Sequence, residues 1–113
     1  MFATLKIDKI YNLKLTMKGI KEIENTLNKP IGDIILNANM LKTEQWEEIF
    51  IILTKNENPD LTIDDLDNLI ENNSDIVDIG DIIQISIIAL RESTLLNKEA
   101  NNKEATKVKK EKK

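Results

Sequence analysis

The residues most nearly spaced for chemistry are Asn56, Asn58, Asp60, Thr62, Asp64 and Asp67. They match positions 1, 3, 5, 7, 9 and 12 of a calcium loop between two helices, with Ile63 at position 8. Such a loop gathers oxygen donors around a hard cation. Three features oppose it here. Leu61 stands where the sharp turn needs Gly, Pro59 stiffens the segment, and Asp67 is too short for the bidentate last ligand. The favoured reading is a turn leading into a helix whose acidic first turn suits the helix dipole. Asp64, Asp65, Asp67 and Glu71 likewise read as a solvated face. Paired-carboxylate catalysis instead wants one member in an apolar pocket.

The rest of the composition is poor in reactive groups. There is no Cys and no His, so thiolate chemistry is excluded and the usual general base is missing. With 3 Gly in 113 residues, no phosphate-cradling loop is present. These absences speak against an enzyme, and neither a cofactor nor a metal is expected. The four aromatic residues, Phe2, Tyr11, Trp46 and Phe50, are not interleaved with basic ones, so no base-stacking platform is formed. Trp46 and Phe50 lie one helical turn apart, a spacing that suits core packing or a partner-binding anchor.

Charge is unevenly laid out. The seventeen residues from Asn97 to Lys113 carry seven Lys and three Glu, a net +4, so the first 96 residues carry −8. Between Asn56 and Leu90 there are nine acids and no Lys or Arg. A body of this sign repels phosphate backbones, so duplex nucleic acid is not an expected partner. The Lys-rich end, residues 97–113, holds one β-branched apolar residue, Val108, and is expected to be a basic tail, disordered or a frayed helix. Residues 1–96 are expected to form a single α+β domain, which the 41% apolar content can support. The first residues lack the layout of a signal peptide, and the apolar stretch Ile82–Leu90 is far short of a membrane span. A cytoplasmic location is the expectation.

The elements that position these residues follow from periodicity. Ala3, Leu5, Ile7, Tyr11, Leu13 and Leu15 alternate with polar neighbours, which predicts a β-hairpin over residues 2–15. A three-residue loop, Asp8-Lys9-Ile10, would pair Ile7 with Tyr11, Leu5 with Leu13 and Ala3 with Leu15, all on one face. Thr16 is expected to cap a helix to about Asn28, with Met17, Ile20, Ile23 and Leu27 buried. Pro30 would open a second helix bearing Ile31, Ile34, Ile35 and Ala38. Thr43 would cap a third, whose stripe is Trp46, Ile49, Phe50 and Leu53. A fourth follows Leu61-Thr62, with Ile63, Leu66, Leu69 and Ile70 inward. Asn72-Asn73-Ser74-Asp75 is expected to stop it and to cap the last helix, Ile76 to about Leu95. That helix is apolar nearly all round, which predicts a place at the centre of the packing. Its richness in Ile also permits a strand over Ile82 to Ile88, but its length favours helix.

In Ile7-Asp-Lys-Ile-Tyr-Asn-Leu-Lys-Leu-Thr16 followed by Met17-Lys-Gly-Ile-Lys-Glu-Ile-Glu24, the chain resembles the small tail assembly chaperones of long-tailed phages, including the related gene-transfer-agent tail proteins. Those open with a hairpin ending in a Leu-x-Leu-Thr strand. A helix follows with a small residue near its third position, here Gly19, and an apolar residue beside Glu, here Ile23-Glu24. Leu41-Lys-Thr-Glu-Gln-Trp-Glu-Glu-Ile-Phe50 and Leu61-Thr-Ile-Asp-Asp-Leu-Asp-Asn-Leu-Ile70 are similar to later helices of the family. The departures are a hairpin loop without Gly and the Lys-rich tail.

The resemblance implies a phage or prophage assembly factor without enzymatic activity. It would bind the tape measure protein and help recruit tail tube subunits during tail morphogenesis. The partner surface is expected to join the hairpin's outer face (Phe2, Thr4, Lys6) to Trp46 and Phe50 of the third helix. An alternative is an acidic regulatory adaptor, a nucleic-acid mimic, that captures a basic protein through Glu57 to Asp81. Self-association is left open by the composition.

Overall fold

The computed structural model describes residues 3–97. In chain order they form β1 (Ala3–Lys6), β2 (Ile10–Leu13), α1 (Met17–Leu27), α2 (Ile31–Leu36), α3 (Thr43–Leu53), α4 (Ile63–Asn72) and α5 (Ile79–Arg91). A short 3-10 turn, Ala38–Met40, follows α2. This is the expected α+β architecture, an N-terminal antiparallel hairpin followed by short helices; of the four to five expected, five α-helices form. Phe2 and all of the Lys-rich tail after Asn97 lie outside the described residues.

The hairpin keeps the expected face but not the expected register. Ala3 pairs with Leu13, Thr4 with Asn12, Leu5 with Tyr11 and Lys6 with Ile10. The loop is still three residues long, but it is Ile7-Asp8-Lys9. Moving the loop by one residue shifts the register by two, which leaves each side chain on its original face. The gain is burial. Ile7 turns into the core at 4% exposure, while Ile10 is left outside at 59%. No loop residue adopts a left-handed backbone; among the described non-glycine residues Asn28 has the positive φ. Instead the Ile7 N–H donates to the Lys9 carbonyl at 2.9 Å, and the Tyr11 hydroxyl donates to Asp8 at 2.8 Å.

Thr16 caps α1 as expected, its hydroxyl accepting from the Gly19 N–H at 2.9 Å. Asn28 closes the helix at φ 55°, ψ 44°, the left-handed conformation that ends many helices. Met17 is exposed rather than buried, and Gly19 joins Ile20, Ile23 and Leu27 on the inner face. Gly19 meets Ile52 of α3 at ordinary contact distance, and its tightest neighbour is its own cap. A Cβ on Gly19 would stand 3.5 Å from the Ile52 methyl and 3.2 Å from the capping Thr16 oxygen. Glu24 reaches forward, its carboxylate accepting from the Ile31 N–H at 2.8 Å, and so ties α1 to the start of α2.

The centre of the fold is α3, not α5. It packs against α1, α4, α5 and β2, and it buries Trp46, Ile49, Phe50, Ile52 and Leu53. Each such side chain contributes roughly 1.5–3 kcal/mol of apolar burial. Its first helical residue is Thr43, so Thr43 is not the cap. Lys42 occupies that position, with its N–H donating to Gln45 at 2.8 Å. At the far end, the Lys14 N–H donates to the Leu53 carbonyl at 2.8 Å, which docks the hairpin on α3.

α5 is shorter than expected. It starts after Asp78, whose carboxylate accepts from Asp81 N–H while Asp81 accepts from Asp78 N–H. This reciprocal cap outcompetes Asn72–Asp75 as the start. The helix packs on α3 and both strands through Ile82, Ser86, Ala89 and Leu90. Its remaining isoleucines are only half-buried, which leaves an apolar side open.

Candidate protein-binding surface

Trp46 and Phe50 are core residues, 3% and 0% exposed. Phe50 packs against Tyr11, ring centroids 6.1 Å apart and tilted by 50°. Neither is available to a partner in the folded chain, which corrects the expectation that they anchor one. Thr4 and Lys6 are exposed on the hairpin's outer face, as expected. They share it with Asn12 and Ile10, so that face is mainly polar. Asn12 donates from its amide to Glu57 at 2.9 Å, linking this face to the segment after α3. Lys9 lies 5.3 Å from the centre of the Tyr11 ring. Burial and the bond to Asp8 push the Tyr11 hydroxyl pKa up to about 12.

The segment proposed for calcium is divided by the start of α4. Thr62 spends its hydroxyl on the Asp65 N–H at 3.1 Å, and Asp65 accepts in return from the Thr62 N–H at 3.2 Å. Asn58 donates to the Thr54 carbonyl at 3.3 Å. These groups serve as caps and turns, so the six positions do not form one loop. Among the described residues, no group of three or more acidic side chains could hold a metal ion.

One carboxylate departs from the solvated pattern. Glu47 is 6% exposed, between α3 and α4, with Asp67 half-buried beside it. Burial, the hydrogen bond to Asp67 and the charges of Asp67 and Glu44 push its pKa up to about 7. Glu48 is raised as well, by burial and then by Glu44. A signal was available in the sequence. Glu47, Phe50 and Thr54 sit at i, i+3 and i+7, so Glu47 borders the buried stripe, and Thr54 is itself fully buried.

Half-buried isoleucines of α5 border two clefts. A groove of about 850 Å³ runs between α5 and α2, lined by Ile35, Gly80, Ile83, Gln84, Ile87 and Arg91 among others. A second, of about 740 Å³, lies where the end of α5 meets the hairpin, bordered by Met17 and Leu95. Met17 and Leu95 are 54% and 48% exposed, and Leu36 and Met40 beyond the first groove reach 84% and 72%. The sequence had marked α5 as apolar around its circumference; which side remains open was not legible there.

No family model, curated protein or solved structure matches this chain. Among the described residues, no helix is long and apolar enough to cross a membrane.

Proposed function

We propose that this chain is a tail assembly chaperone of a long-tailed phage or prophage, acting without catalysis. It binds the tape measure protein, shields that chain's apolar helical stripes, and helps recruit tail tube subunits. The observation that carries the reading is an open isoleucine-lined groove on a strongly acidic body. An apolar cleft can receive a partner helix, while the net charge of the body keeps the complex dispersed. The resembling residues also have consistent structural work. Gly19 fits beside the capping Thr16 hydroxyl, Glu24 accepts from the first N–H of α2, and Thr16 joins hairpin to helix.

Co-expression with a tape measure protein from the same phage or prophage tests the proposal. Soluble yield of that protein should rise and the two should co-purify through moderate salt. Absence of both effects would overturn it. A second reading, the acidic adaptor, is favoured by the nine acids without a cation between Asn56 and Leu90. It differs in predicting binding that collapses steeply as salt is added.

A further inference from the structure

We infer that residues 56–76, α4 with the turns flanking it, form a pH-sensitive flap over α3. The flap is closed in mildly acid medium and lets go in mildly alkaline medium, while the rest of the fold stays in place. This goes beyond the assembly-chaperone reading and does not depend on it. The flap hangs between two fixed points, Thr54 and Val77, both buried. Between them Leu66 alone is buried, with Leu61, Ile63, Leu69 and Ile70 half-buried. α4 packs chiefly on α3, whereas α5 packs on α3 and both strands. A segment with so few buried apolar groups opens at lower cost than the core it covers. Beyond that contact the flap is tied to the hairpin by the Asn12 amide, which donates to Glu57 at 2.9 Å in an exposed place.

The joint between the two helices is built from acids. α3 carries Glu44, Glu47 and Glu48, α4 carries Asp64, Asp65, Asp67 and Glu71, and neither helix has a Lys or Arg. Glu47 is buried and faces Asp67 across the joint, with Glu44 one turn away on its own helix. The other elements packed on α3 spend their charged groups elsewhere. On α1, Lys18 and Lys21 are exposed, Glu22 pairs with Lys55, and Glu24 accepts from the Ile31 N–H. On β2, the Tyr11 hydroxyl donates to Asp8. On α5, Asp81 is spent on the reciprocal cap with Asp78, and Arg91 is exposed. Among the described residues no cation forms an ion pair with Glu47. A neutral Glu47 can share its proton with Asp67, which holds the joint together. An ionised Glu47 sets two negative charges against each other out of water, and parting the helices lets water reach both.

Hydrogen exchange read by mass spectrometry on the full chain tests the flap, near pH 6 and near pH 8, with rates corrected for the intrinsic effect of pH. At pH 6 the α4 amides should be protected at least about tenfold less than those of α5, because the flap opens without the core. Glu47 is held up to about 7 in the closed flap and returns to the ordinary 4.5 in the open one. Opening should therefore ease, and α4 protection fall, by a further factor of about ten at pH 8. Glu47→Gln should abolish that fall. Asp67→Asn removes the facing charge while leaving Glu47 titratable, and should make the fall smaller. Circular dichroism checks that both variants keep their helices. Equal protection of α4 and α5 at both pH values would overturn the flap, since the helices then open together. An α4 whose protection ignores pH, or a Glu47→Gln chain that keeps the fall, would overturn the switch.

Discussion

Glu47 of α3 and Asp67 of α4 face each other as two carboxyl groups at the contact between their helices, with Glu47 held out of water. Two negative charges there would repel in a poorly solvated site, so Glu47 retains its proton to about pH 7. The folded chain therefore binds more protons than the unfolded one between about pH 4.5 and 7. Stability from this group is fully present below that window and is lost as pH rises through it.

Urea melts should therefore show a more stable protein near pH 5 than near pH 8, by about 2–3 kcal/mol. Glu48 shifts in the same direction and adds to the slope. Glu47→Gln cannot ionise and should flatten the profile, raising stability at pH 8. A chain equally stable at both pH values would contradict the burial of Glu47.

Phe50→Ala removes a fully buried ring from the helix at the centre of the fold and should destabilise by about 3–5 kcal/mol. That is a large share of the stability of a domain this size, so equilibrium denaturation should show partial unfolding without denaturant. A folded, stable variant defective only in partner binding would return Phe50 to the surface.

Ser86 is fully buried on the inner side of α5, and its hydroxyl has no hydrogen-bond partner. An unsatisfied buried hydroxyl costs roughly 1–3 kcal/mol. Ser86→Ala deletes it, leaves a small void and improves helix propensity. A net stabilisation of about 1 kcal/mol should appear as a higher melting temperature; a loss of similar size would show that the hydroxyl is bonded.

Asn28 holds the left-handed turn that separates α1 from α2. Asn28→Gly should be neutral or slightly stabilising, because Gly has no Cβ to strain at φ 55°. Asn28→Val should destabilise by about 1–2 kcal/mol for the same reason reversed. Thermal melts of the pair distinguish this from loss of an exposed polar side chain, which would affect both equally.

Local periodicity was a sound guide where one face meets one environment. Ile20, Ile23 and Leu27 of α1 and Trp46, Ile49, Phe50 and Leu53 of α3 are all buried at the spacing their types implied. Helix limits were harder to read where several caps compete, as Asp78 with Asp81 shows against Asn72–Asp75. The burial of Trp46 and Phe50 was not legible because such residues suit an interface and a core equally, and only their neighbours in space distinguish the two.

What the amino-acid order determined by itself was which residues share a face, because backbone geometry repeats every two residues in a strand and every 3.6 in a helix. That is why Ala3, Leu5, Tyr11 and Leu13 stayed together although the register moved by two. What only the tertiary structure decided was which faces found a neighbour. Glu47 is buried because α4 folds back over α3, and Ile83 and Ile87 are only half-buried because α5 turns Ile82, Ser86, Ala89 and Leu90 toward α3 and the strands. Those outcomes depend on contacts between segments distant along the chain, and no local pattern contains them.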